Sequence, residues 1–168
     1  MPVPDFVLRL RSKIGHDLLP MSGATGVVLD GDRLLLGRRA DTGGWSLPSG
    51  ILEPGEQPAT GVLREILEET GVVAAVEALT STHVQPPVVY PGGDRAQYLD
   101  LTFRCRYVSG LAHVADDESL EVAWFDLSGL PELSTSSRFK LDRALEFTGT
   151  TWFEGLDDRV APDTAHRS

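Results

Sequence analysis

Residues 50–72 read GILEPGEQPATGVLREILEETGV, and this stretch decides the architecture. Its polar and glycine landmarks are Gly50, Glu56, Arg64, Glu65, Glu68, Glu69 and Gly71, spaced G-x5-E-x7-R-E-I-x-E-E-x-G-V. Seven such positions, each about one in fifteen by average usage, match by chance about once in 10⁸ start points. The spacing predicts a helix from Pro58 to Thr70. Proline suits the first helical turn, where no amide hydrogen is needed, and Gly71 stands where a left-handed residue stops a helix. At about 100° per residue, Ala59, Leu63, Ile66, Leu67 and Thr70 are expected on one face. Glu65, Glu68 and Glu69, spaced i, i+3, i+4, are expected together on the opposite face. Arg64 stands one turn before Glu68, where its planar fork can pair with that carboxylate and orient it.

Three carboxylates this close repel one another, which raises their pKa values and weakens the helix unless a cation neutralises them. Hard oxygen donors suit Mg²⁺ or Mn²⁺, and Mg²⁺ prefers one or two carboxylates, several waters and substrate phosphate oxygens. The plainer alternative is a solvated acidic face on an amphipathic helix. The glycine-rich lead-in, Glu56 and Arg64 weigh against it.

The segment resembles the signature box of the Nudix hydrolases at every defining position from Gly50 to Val72. Its surroundings agree: Arg38-Arg39 closes a strand-like Leu34-Leu35-Leu36 run, and Trp45-Ser46-Leu47-Pro48 leads into the box. Ser49 departs from the pattern, since a second glycine usually precedes Gly50; a slightly altered turn is expected, not altered chemistry. The resemblance extends over residues 21–146 and implies an α/β class fold, an α/β/α sandwich around a mixed sheet.

The activity implied is hydrolysis of a pyrophosphate bond in a nucleoside diphosphate linked to another moiety, with Mg²⁺ (or Mn²⁺) as cofactor. The Tyr90-Pro91-Gly92-Gly93-Asp94 loop leans the reading toward substrates of the ADP-ribose or CDP-alcohol type. Alternatives are a nucleoside triphosphate pyrophosphohydrolase, or a non-catalytic module that binds a nucleotide as a signal. Carried over by residue, Glu65, Glu68 and Glu69 are expected as metal ligands, with Glu56 secondary. Gly50 would lend backbone to the same site, and Arg64 would orient a carboxylate. The general base would be Glu65 or Glu118, which stands six residues ahead of Trp124. Arg38, Arg39, Trp45, Tyr90 and Tyr98 are candidates for gripping a phosphate or stacking on a base; each is also an ordinary surface or core residue.

The remaining sequence frames this core. A chain of 168 residues with 41% hydrophobic content is long enough for one domain with a real interior. Its net charge of −10 argues against non-specific binding to nucleic acid or to an anionic membrane. No run approaches the ~18 apolar residues of a membrane span, and the N-terminus does not resemble a signal peptide. The single cysteine, Cys105, excludes an internal disulfide and reads as a small core residue. Cytoplasmic localisation is therefore expected. The four histidines are scattered without ligand spacing, so zinc is not expected.

The organisation expected is an N-terminal helical segment in residues 1–20, the main domain in 21–147 and a tail in 148–168. Residues 5–18 read as a short amphipathic helix whose apolar stripe could serve a homodimer or pack on its own domain. Ala24 to Leu29 and Leu34 to Gly37 read as strands joined at Asp30-Gly31-Asp32. Val73 to Val84, Tyr98 to Val108 and Glu121 to Phe125 read as further strands. Residues 85–94, with three prolines and two glycines, read as a loop that cannot be a central strand. Arg138 to Phe147 reads as a second amphipathic helix, and periodicity fades from Gly149 onward.

Overall fold

The computed structural model describes residues 3–115 and 119–155. Along the chain run α1 (Asp5–Ile14), β1 (Leu19–Asp30), β2 (Arg33–Arg39), β3 (Trp45–Ser46), β4 (Ser49–Ile51), α2 (Pro58–Thr70), β5 (Val73–Val84), β6 (Val88–Val89), β7 (Arg95–Ser109), β8 (Ser119–Asp126), α3 (Thr135–Leu145) and β9 (Trp152–Phe153).

The strands form one mixed sheet. β1 lies at its centre, parallel to β7 from Leu19↔Ala96 to Leu29↔Arg106 and antiparallel to β4 at Gly23↔Ile51 to Thr25↔Ser49. β2 turns back from β1 through a two-residue loop in which Gly31 has φ +59°, a conformation this tight hairpin requires. It then pairs with β8, while β5 pairs antiparallel with β7 and carries β9 on its outer edge.

A central strand flanked by helices is buried on both faces, and β1 is: Ala24, Thr25, Val27 and Val28 are all out of water. Alternation sends Ala24 and Val28 to one side, with Leu35, Val62, Ile66, Val72, Phe103 and Cys105. Val27 goes to the other side, with Leu34, Leu36, Leu47, Leu141 and Ala144. So α2 covers one face and α3 the other, which is the α/β/α layering expected. Gly26 lets α2 approach; a Cβ there would come 2.7 Å from Ile66 Cδ1. Burial pushes the Cys105 thiol up to about 12, which leaves it inert.

Several boundaries move. α1 ends at Ile14, four residues short of the expected 18, because Gly15 takes φ +57° and the chain turns into β1. α3 starts at Thr135, since Ser134 accepts a bond from the Ser137 amide and caps it, and it ends at Leu145. The 85–94 segment holds a two-residue strand that pairs only with the start of β7, and β9 arises where no pattern was legible. The orientation of α2 also differs from expectation. Its inner face is Val62, Glu65, Ile66 and Thr70, whereas Leu67 is half exposed and Ala59 is exposed. The helix is rotated so that one glutamate of the acidic set faces inward.

On the α3 side His83 of β5 is packed edge-on against Phe139 at 5.0 Å, and its Nδ1 is buried with no hydrogen-bond partner among the described residues. Burial lowers its pKa, with Lys140 adding to that, against Asp100 and Glu154, which oppose it. The unfolded chain therefore binds a proton that the folded one refuses, and stability present above about pH 6.5 is lost as the pH falls. The midpoint of urea unfolding is expected to fall between pH 7.5 and 5.5, and to fall less in His83→Leu. An equal fall in both proteins would refute the assignment.

Candidate functional site

The carboxylates of residues 50–72 are organised around Arg64. Its guanidinium takes Glu56 with two bonds (Nε to Oε1 2.9 Å, Nη2 to Oε2 3.0 Å), Glu65 Oε1 at 2.8 Å and Glu68 Oε2 at 3.0 Å. The pairing with Glu68 is the one the spacing implied. The stronger, two-pronged grip on Glu56 joins the loop before α2 to the helix itself. Glu56 also accepts from the Glu53 amide at 3.1 Å, so both its oxygens are engaged. The Arg64 bonds hold the Glu56 carboxyl below the usual carboxylate range. Gly61 makes room for this link, since a Cβ there would press on Leu52 and lie 2.8 Å from Glu56 Oε2.

Glu65 occupies the most constrained position. Its side chain is fully buried, and any Cβ at Gly50 would collide with its carboxyl. This gives Gly50 a steric reason to be glycine. Oε1 takes the Arg64 bond, but Oε2 is buried with no hydrogen-bond donor among the described residues. Burial raises the Glu65 pKa, Arg64 opposes that rise, and Glu68 and Glu56 add to it. An oxygen that has left water without a partner is costly, and it is the feature here that a cation would satisfy. Glu68 is half exposed next to it, and Glu69 accepts from the Ser49 amide at 3.4 Å. Among the described residues no three Asp, Glu, His or Cys side chains are grouped closely enough to hold an ion as they stand. The Arg64 guanidinium lies among the carboxylates instead.

The candidates for holding substrate divide. Arg39, at the end of β2, is braced by Asp41 through bonds of 2.8 and 2.5 Å. Its charge is favoured chiefly by that bond, then by the charges of Asp41 and Glu69, so Arg39 stands within electrostatic reach of the box helix. The Tyr90 hydroxyl meets that of Tyr98 at 2.7 Å, and the Tyr98 ring lies over Gly23, near the Gly50 carbonyl. Burial raises the Tyr98 pKa, so this phenol stays a hydrogen-bond donor or acceptor without charge. Arg38 is turned into its own hairpin, donating to the Gly43 carbonyl at 3.1 Å. Trp45 packs edge-on against Phe125 at 4.7 Å, in the core beneath α3.

Glu118, with Asp116 and Asp117, lies outside the described residues. The residues flanking that segment are anchored at the same locus: His113 and Ala115 donate their amides to Thr70 O (3.0 Å) and Glu69 O (3.4 Å), capping the end of α2, and Ser119 pairs with Arg39. Sequence reasoning missed the Tyr90–Tyr98 hydroxyl contact and the Ser49 amide. The first joins two tyrosines across a hairpin, and the second is a backbone group with no residue signature.

A family model described as NUDIX domain matches residues 19–145. A MutT-like protein of Streptomyces ambofaciens is 43% identical over 98 residues, 58% of each chain. A Methanocaldococcus jannaschii protein named ADP-ribose pyrophosphatase is 30% identical over 120 residues, 70% of this chain and 68% of that one. Among solved structures, a UDP-X diphosphatase superposes with a TM-score of 0.64 at 22% identity, covering 89% of this chain and 73% of that one. The chain thus spans less than two thirds of the length of the Streptomyces relative.

Proposed function

This chain belongs to the NUDIX domain family, and from that membership we propose that it is a hydrolase cleaving the pyrophosphate bond of a nucleoside diphosphate linked to a second moiety, with Mg²⁺ or Mn²⁺ as cofactor. The observation that carries the reading is the buried Glu65 Oε2, left without a donor among the described residues, beneath Gly50 and beside Glu68. Glu65, Glu68 and Glu69 would hold the cation, with backbone from Gly50. A cation bound there supplies charge neutralisation at the phosphoryl oxygens and eases ionisation of water.

The protein's own groups do the positioning. Arg64 fixes Glu65 and Glu68 and keeps Glu56 ionised at the helix entrance. Arg39, braced by Asp41, presents a guanidinium suited to phosphate oxygens. Tyr90 offers an exposed ring and a hydroxyl on the facing wall. Phosphoryl transfer goes through a loose transition state, so such placement of charge is what the reaction needs. Glu65, with its raised pKa, and Glu118 are the two candidates for the base that takes the proton from the attacking water. The relative named ADP-ribose pyrophosphatase supports a diphosphate conjugate as substrate. The buried free thiol of Cys105 is at ease in a reducing cytoplasm.

The deciding experiment offers ADP-ribose, a CDP-alcohol, a UDP-sugar and nucleoside triphosphates with Mg²⁺, and identifies products by mass. Release of a nucleoside monophosphate with a phosphorylated partner is expected, abolished by a chelator and restored by Mg²⁺ or Mn²⁺. Turnover of triphosphates alone would reassign the substrate class. Binding without turnover would make the chain a regulatory module.

A further inference from the structure

We propose that Arg11, near the end of α1, is a positioning residue that braces the substrate-binding wall by holding the hairpin of the Tyr90–Tyr98 pair. The inference rests on the function proposed above only for what the wall holds.

The apolar side of α1 holds little. Val7 is buried, but Leu8 and Leu10 are largely exposed, and a cavity of about 420 Å³ separates Phe6 and Leu10 from Leu52 and Glu56 of the box loop. On its polar side Arg11 is firmly engaged. The Arg11 side chain is only 11% exposed, and all its bonds go to main chain: Nη1 to Gly15 O at 3.1 Å and Asp17 O at 2.7 Å, Nη2 to Arg95 O at 2.6 Å. Nε stands 3.7 Å from Asp94 Oδ1, and His16 Nδ1 meets the same carboxylate oxygen at 2.9 Å. One guanidinium therefore ends α1 and grips, 84 residues away, the hairpin between β6 and β7.

That hairpin is built to pass the constraint on. Val89 pairs with Arg95, the Tyr90 amide donates to Asp94 O at 2.9 Å, and the Gly93 amide donates to Tyr90 O at 2.8 Å. Fixing Asp94 and Arg95 fixes the backbone of Tyr90, and so places its hydroxyl against that of Tyr98 over Gly23. A rigid fork spanning several carbonyls is a task for arginine that a lysine point charge does only in part.

Arg11→Met keeps the aliphatic stem and removes the donors, while Val7→Ala loosens α1 packing and leaves Arg11 intact. With the diphosphate conjugate turned over in the panel above, Arg11→Met is expected to raise KM about tenfold with kcat within about twofold, and Arg11→Lys to fall between. Amide exchange at Tyr90 and Gly93 should speed up in Arg11→Met, with α2 amides unchanged, and Val7→Ala should leave KM and these amides as in the parent. Unchanged exchange at Tyr90 and Gly93 in Arg11→Met, or equal effects from Val7→Ala, would overturn the proposal. A parent that hydrolyses nothing would sink the hydrolase reading, and the exchange measurements would still decide the role of Arg11.

Discussion

Replacing Glu65 with glutamine is expected to cut kcat by about 10³-fold, the scale of losing one well-placed charge at a phosphoryl-transfer site. The metal-free protein should nonetheless resist thermal unfolding at least as well as the parent. The two halves have one cause. Glu65 is fully buried, its pKa is raised by that burial, and its Oε2 has no donor among the described residues. The ionised side chain is thus held against its own solvation, a cost tolerated where the charge has work to do. Glutamine keeps an acceptor for Arg64 and drops the charge. The sign with pH follows: a carboxyl with a raised pKa binds its proton more tightly in the folded state, so stability falls as the pH rises through its titration and the variant escapes that fall. Affinity for Mg²⁺ should strengthen over the same interval, because the proton and the cation compete. Calorimetric titrations at pH 5.5 and 8, with melting curves of both proteins, test both halves. A variant with parental kcat would remove Glu65 from the chemistry.

The second large effect lies on the opposite face of the sheet. Lys140 of α3 is buried, and its Nζ donates to Asp100 Oδ2 at 2.5 Å and to Thr25 Oγ1 at 2.9 Å. Asp100 also accepts from Thr25, Thr102 and Gln85. Removing one partner of such a pair strands a charge away from water, at a cost of about 3–5 kcal/mol. Lys140→Met should therefore lower Tm by about 10 °C in a domain of this size. Adding Asp100→Asn should recover much of that, since an amide oxygen still accepts from Thr25 and Thr102. A double variant no more stable than Lys140→Met would show that the lysine matters through packing of its stem instead.

How far the sequence revealed these features depended on whether their cause was local. The limits of α2 were readable, because Pro58 and Gly71 act on their own turns. The turn at Gly31 and the strands on either side of it were readable for the same reason. The face of α2 was not, since periodicity places residues relative to one another but leaves the helix free to rotate. What fixes that rotation is distant: Gly26 admits Ile66, and Gly50 admits Glu65. Arg64 was legible as a partner of Glu68 one turn away, and illegible as the clamp on Glu56 across a loop. Trp45 was open in the sequence between a stacking surface and a core residue, because its neighbour Phe125, 80 residues on, leaves no local trace. The ladder of β9 on β5 had no signal at all, being two residues long.

The parallel pairing of Leu19–Leu29 with Ala96–Arg106 has a consequence for how the molecule comes into being. A strand whose principal neighbour is made some eighty positions later cannot settle while the ribosome is still delivering the glutamate helix, and closing so long a loop is slow. A nascent chain halted at Asp94 would lack β7 and α3 and leave Val27, Leu34 and Leu36 without the cover of Leu141 and Ala144, a surface apt to recruit chaperones. Maturation of the acidic centre therefore waits upon a partner synthesised after it, and refolding from denaturant should show recovery of metal uptake lagging behind helix formation.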